Sequence, residues 1–149
     1  MTTPLRLRGF IEELQDYIAA NYSDSDGRTY TTATNFTIGN FLDVEDLDRI
    51  LGSDVDLTIY DQAIDVTKGA RRHRTTRAVR FVFKDSHAQA SLNRAHAMTE
   101  WLSGLERIGL PLFVAWVHRF QRMPGIITGR SSGTFLSDLV VHFLTVNRT

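Results

Sequence analysis

The run from Arg77 to Phe143 constrains the fold more than any other part of the chain. Over 77–84, Val79, Phe81 and Phe83 fall on one side and Arg80, Val82 and Lys84 on the other, the period of a strand with one buried face. A long amphipathic helix is predicted over 86–108, capped by Asp85 or Ser86. Its buried stripe is Ala88, Leu92, Ala95, Thr99, Leu102 and Leu105, with Met98 and Trp101 on the flank. Gly109 sits where a helix often ends, and Pro111 prevents continuation. Residues 112–120 then read as a strand, 121–134 as a turn-rich loop and 135–146 as a closing strand. Strand, helix, strand, loop, strand is a sheet with a helix laid on one face. Nothing in this run looks like an active site.

Upstream, Thr3 is placed to cap a first helix with Pro4 at its first position, where a missing N–H costs nothing. Leu7, Phe10, Ile11, Leu14, Tyr17 and Ile18 form one apolar stripe, with Glu12, Glu13 and Asp16 expected to face outward. The stretch 21–27 is a turn-forming stop. Residues 28–42 suggest an extended segment with a turn at Gly39 and Asn40. Asp43 would cap a short helical piece over 44–51, ended by Gly52. A half-buried strand is expected over 54–60, with Val55, Leu57 and Ile59 on its inner face. Residues 68–76 hold no large apolar side chain and read as a loop at the end of a hairpin. The expected fold is one α+β domain over 1–149. It has a mixed, mainly antiparallel sheet, an N-terminal helix and one long helix packed on the sheet, with projecting loops at 68–76 and 121–134.

A chain of 149 residues is long enough to bury a core without disulfides or metal. It has no cysteine, which removes thiol catalysis and cysteine-based zinc sites together. The N-terminus lacks the apolar core of a signal peptide, and no stretch approaches the 18 or so apolar residues of a transmembrane helix.

Gly129-Arg-Ser-Ser-Gly133 matches the pattern of a hydrolase nucleophile elbow, and Asp138 and His142 follow in triad order. The elbow needs a helix after it, and 135–146 is strand-like, so a turn between strands is the better reading. His96 and Glu100 are one helical turn apart without a third ligand at familiar spacing, and no phosphate-binding glycine pattern occurs. No catalytic, metal or cofactor residue is expected.

Charge is more informative. The chain balances 17 basic against 17 acidic side chains, yet segregates them. Asp43, Glu45, Asp46, Asp48, Asp54 and Asp56 crowd one stretch with Arg49 the only base. Lys68, Arg71, Arg72, Arg74, Arg77 and Arg80 crowd another without an acid. Two solvated surfaces, a phosphate-binding loop, or acidic and basic patches meeting head-to-tail between copies would each produce this layout. The basic loop has no aromatic platform for bases. Met123, Ile126 and Ile127 on the second loop make sense if a partner covers them. The candidate interface set is therefore Lys68, Arg71, Arg72, Arg74, Arg77, Asp43, Glu45, Asp46, Asp48, Met123, Ile126, Ile127 and Arg130.

The order of elements, with Met98-Thr-Glu-Trp-Leu102 on the long helix, Gly129-Arg-Ser-Ser-Gly133 between strands and the closing run 135–144, resembles the tail terminator (tail completion, minor capsid) proteins of long-tailed bacteriophages. The likeness covers roughly 54–146 and is one of element order and texture. It implies a mixed sheet with packed helices and a hexameric ring in the virion, assembled in the host cytoplasm. Such a ring caps the tail tube, ends its polymerisation and meets the head connector or stopper protein. It also implies no catalysis, no membrane, and DNA passing through the ring without specific binding. Another head–tail connector component (an adaptor or stopper) is the alternative in the same class. A nucleic-acid-binding module using 68–80 is the alternative outside it.

Overall fold

The computed structural model describes residues 9–39, 50, 55–68, 73–129 and 133–148. The expected Thr3 cap and the helical piece over 44–51, Ile50 apart, lie outside them. Helix α1 (Phe10–Asn21) leads to a short strand β1 (Phe36–Ile38), and strands β2 (Leu57–Lys68) and β3 (His73–Asp85) follow. Helix α2 (Ala88–Ser103), β4 (Ile108–Gly109), β5 (Phe113–Gly129) and β6 (Phe135–Asn147) complete the chain. The six strands form one sheet in the order β1-β2-β3-β6-β5-β4. β1 runs parallel to β2 and every other pairing is antiparallel, so the fold is α+β with a mixed, mainly antiparallel sheet.

One face of the sheet carries the main core. Leu57, Ile59, Val79, Phe81, Leu139 and Val141 meet Phe10, Leu14 and Ile18 of α1 and Ala95, Met98 and Leu102 of α2, all of them buried. On the opposite face Tyr60, Val82 and Leu136 pack with Ile50. The closing strand is where the sequence predicts it. Its odd-numbered positions from Ser137 to Thr145 face the helices, and its even-numbered positions from Leu136 to Val146 face the other side.

Several boundaries differ from expectation. The first hairpin is longer than predicted. Lys68 pairs with His73, so strand pairing occupies both ends of the stretch read as a loop, and 69–72 connect them. The polar residues between Asp61 and Lys68 keep their place because the hairpin is held by its backbone ladder, with one register shift between Asp61 and Ala63. Helix α2 is shorter than 86–108. It ends at Gly104, whose N–H bonds back to Glu100 and Trp101, and Ile108 and Gly109 leave it to pair with β5. Its buried residues are Ser91, Ala95, Met98, Thr99 and Leu102, so Met98 lies inside rather than on the flank. Ser91 is there because its hydroxyl bonds that of Ser137 on β6, 2.7 Å away.

The loop expected over 121–134 is strand up to Gly129. β5 uses 17 residues where β6 uses 13, and four register shifts absorb the surplus. Pro124 sits in the shift between Arg122 and Gly125, a bulge position that tolerates its missing N–H.

Glu13 does not face outward. It is 1% exposed and accepts a hydrogen bond of 3.0 Å from the N–H of Leu112, fastening α1 to the start of β5. Glu12 turns back to the N–H of Gly9 and closes the first turn. Glu13→Ala should cost about 1–3 kcal/mol by leaving a buried N–H without its acceptor. Glu13→Gln keeps an oxygen in place and should cost much less. Urea denaturation of the two variants checks this, and equal losses would show that the hydrogen bond is not what matters.

Candidate interaction surface

The two long hairpins set the geometry of the surface. β3 and β6 are antiparallel, with Arg74 opposite Val146 and Asp85 opposite Phe135. The paired ends Lys68 and His73 therefore lie at one end of the sheet, and the paired ends Gly129 and Phe135 at the other.

Of the interface residues picked from sequence, Asp43, Glu45, Asp46, Asp48, Arg71, Arg72 and Arg130 lie outside the described residues. Lys68 and Arg74 belong to the paired ends of β2 and β3, and Met123, Ile126 and Ile127 to β5 rather than to a loop. Ile126 is 47% exposed, the only large apolar side chain so exposed among the described residues.

Arg77 is engaged internally. Its guanidinium lies 3.5 Å from the Asp61 carboxylate and sits over the rings of Phe10 and Phe113, with centroids at 5.5 and 5.7 Å. Burial pushes the Asp61 carboxyl above its ordinary value, with Arg77 pulling the other way. Arg80 is likewise committed. On the face opposite α1 and α2 its Nε donates to Asp138, 2.7 Å away, and an Nη donates to the Tyr60 hydroxyl at 2.9 Å. Burial works against its charge, but the bonds to Tyr60 and Asp138 outweigh this and hold the guanidinium above its ordinary value.

The elbow-like sequence lies between two strands, with Gly133 in the left-handed region at φ 77°. The two residues that follow in triad order are separately occupied. Asp138 is wholly buried against Arg80, and His142 contacts the Gln121 side chain. Burial, Arg119 and His118 lower the His142 pKa. Four positions on one strand also put about 13 Å between Asp138 and His142. No group of three metal-capable side chains occurs among the described residues, nor is any helix there long and apolar enough to cross a membrane.

Two adjoining cavities lie beside α2, a feature that sequence reasoning missed. The larger, of about 420 Å³, is lined by Asp24, Asp26, Arg28, Arg94, His96 and Glu100 among others. The second, about 390 Å³, shares Arg28 and Arg94 and adds Asp56, Lys84 and Asp85. Both arginines are tied to carboxylates, Arg28 to Asp56 at 3.8 Å and Arg94 to Asp85. The Asp24 carboxylate accepts from the N–H groups of Asp26 and Arg28, and this fixes the wall made by the loop after α1. Under that loop Tyr22 and Tyr30 stack at 5.5 Å, and Trp101 meets Tyr22 edge-on at 5.2 Å. Both hydroxyls are buried without a hydrogen-bond partner among the described residues. Burial holds both phenols above their ordinary pKa, and both feel the charges of Asp24 and Arg94 on the cavity wall. The signal was faint in sequence, because residues 21–27 read only as a turn and Arg28 only as the start of an extended segment.

No protein-family model matches the chain, and no curated protein is detectably similar to it in sequence.

Proposed function

We propose that the chain is a structural ring subunit of a long-tailed phage tail or neck, a tail terminator in role. The supporting observation is the placement of two long hairpins whose closing pairs, Lys68–His73 and Gly129–Phe135, lie at opposite ends of one sheet, with a layer of helices covering one face. A subunit built this way offers one contact upward and another downward while its core stays rigid. The mechanism is steric and electrostatic. A closed ring, hexameric in the family that the sequence resembles, occupies the end of the tail tube so that no further tube subunit adds. Its outer face then meets the head connector. The role requires no cofactor and no catalytic residue.

Mass measurement or image reconstruction of the intact particle tests the reading, with six copies in a closed ring as the expected result. A single copy in every assembly that contains the chain would overturn it. Alanine at Arg71, Arg72 and Arg74 separates this role from nucleic-acid binding. Assembly should fail while DNA retention in solution is unchanged at every salt concentration, whereas a DNA-binding module would lose salt-sensitive affinity.

A further inference from the structure

Five buried side-chain atoms along one seam have no hydrogen-bond partner among the described residues. They are Glu13 Oε2, Asp61 Oδ1, Arg77 Nε and the hydroxyls of Tyr22 and Tyr30. The seam runs between the sheet and α1 with the loop that follows it. Glu13 lies on α1, Tyr22 caps its C-terminal end and Tyr30 stacks on Tyr22 from the loop. Arg77 lies against the Phe10 ring, with Asp61 beside it at 3.5 Å. Burial first, and then the charge of Glu12 on α1, hold the Asp61 carboxyl above its ordinary value against the pull of Arg77.

The seam under α2 is satisfied. Ser91 bonds Ser137 at 2.7 Å, Thr99 donates to the carbonyl of Ala95 at 2.9 Å, and Arg94 pairs with Asp85. No side chain of α2 holds an orphaned atom. Four buried apolar side chains hold α1 down, Phe10, Ile11, Leu14 and Ile18, and three hold α2, Ala95, Met98 and Leu102. Burying one apolar side chain gains about as much as leaving one buried polar group unpaired loses. The orphaned atoms therefore offset much of what α1 gains, while α2 keeps all of its own.

Topology acts in the same direction. α2 is tied at both ends, between β3 and β4, whereas α1 precedes every described strand and leads only to β1, a three-residue strand at the sheet edge. Its direct polar fastenings to the sheet side are single bonds, Glu13 to the N–H of Leu112 at 3.0 Å and Gln15 to the carbonyl of Phe36 at 3.1 Å.

We infer that α1 and the loop over 22–30 form a strap that opens and recloses as one unit while the sheet and α2 stay folded. Opening uncovers Phe113 and Phe143, which Phe10 covers when the strap is shut. It also brings water to all five orphaned atoms together, so the strap opens cooperatively rather than fraying from its ends.

Native-state hydrogen exchange on the full chain tests this. The amides of 15–20 should exchange together, with protection about a hundredfold or more below that of 139–143 in β6. Their exchange should also depend more weakly on urea, because the opening exposes only part of the core. Tyr22→Phe with Tyr30→Phe keeps both rings and removes two orphaned hydroxyls, so protection in α1 should rise about tenfold, in step with β6. Amides of α1 as protected as those of β6, with the same urea dependence, would overturn the strap, since α1 would then open only with the whole molecule. Protection that declines gradually toward the helix ends would overturn it too, as would a double variant in which protection in α1 does not rise.

Discussion

Replacing Asp138 by alanine should cost about 3–5 kcal/mol of folding stability. The carboxylate is wholly buried at the centre of the sheet, on β6 opposite Val82, and Arg80 reaches it from β3 with a 2.7 Å bond. Arg80 also donates to Tyr60 on β2, so one guanidinium links three adjacent strands. Removing Asp138 leaves a largely buried cation, 18% exposed, with the Tyr60 phenol oxygen as its hydrogen-bond partner among the described residues. The loss then comes chiefly from an uncompensated charge rather than from a missing attraction. Arg80→Met together with Asp138→Leu removes both charges and should recover most of the stability, since an apolar pair in such a place is often as stable as the ion pair. Urea denaturation of the two single variants and the double gives the coupling directly. A single Asp138→Ala loss under 1 kcal/mol would show that the pair is not buried in this sense.

Phe10→Ala is expected to be as damaging, at about 3–5 kcal/mol, with the melting temperature falling by roughly 10 °C. Phe10 is fully buried at the first turn of α1, edge-on to Phe113 at 5.9 Å and tilted against Phe143 at 5.5 Å. It also forms one side of the aromatic slot that holds the Arg77 guanidinium. Truncation therefore opens a cavity between helix and sheet and removes part of what neutralises a half-buried cation. Ile126→Ser makes the contrast, because that side chain is 47% exposed and its loss should stay within about 0.5 kcal/mol. Similar losses for the two would mean that α1 does not carry the core.

Elements whose side chains alternate or recur without interruption were legible in the sequence. The closing strand and the inner row Val79, Phe81 and Phe83 are of that kind. β5 was only half legible, because Pro124 and Gly125 carry the residue signature of a loop, while the bulges that let a strand hold them are long-range pairings with β6. Glu13 was misread for a similar reason. Its partner is the N–H of Leu112, 99 positions away, and helix periodicity says nothing about such a distance. The hydrophobic period of α2 was visible, but its true end at Gly104 competes with a second glycine at 109 that belongs to a strand. The cavity walls were invisible as a site, since they bring residues 24–28 to the middle of α2 and no local motif marks that meeting. Arg77 and Arg80 looked like part of a solvated basic run, and only strand pairing shows that they are spent on Asp61 and Asp138.

The four surplus residues of β5 also bear on solubility. Beyond Ala115, this long outer strand has no further strand beside it among the described residues. A flat strand in that position would act as a template on which other chains add and precipitate. Bulges spaced through its length keep its backbone donors and acceptors from presenting an even row, so a foreign strand finds no continuous register to copy. Such an edge favours the dispersed chain over strand-to-strand addition.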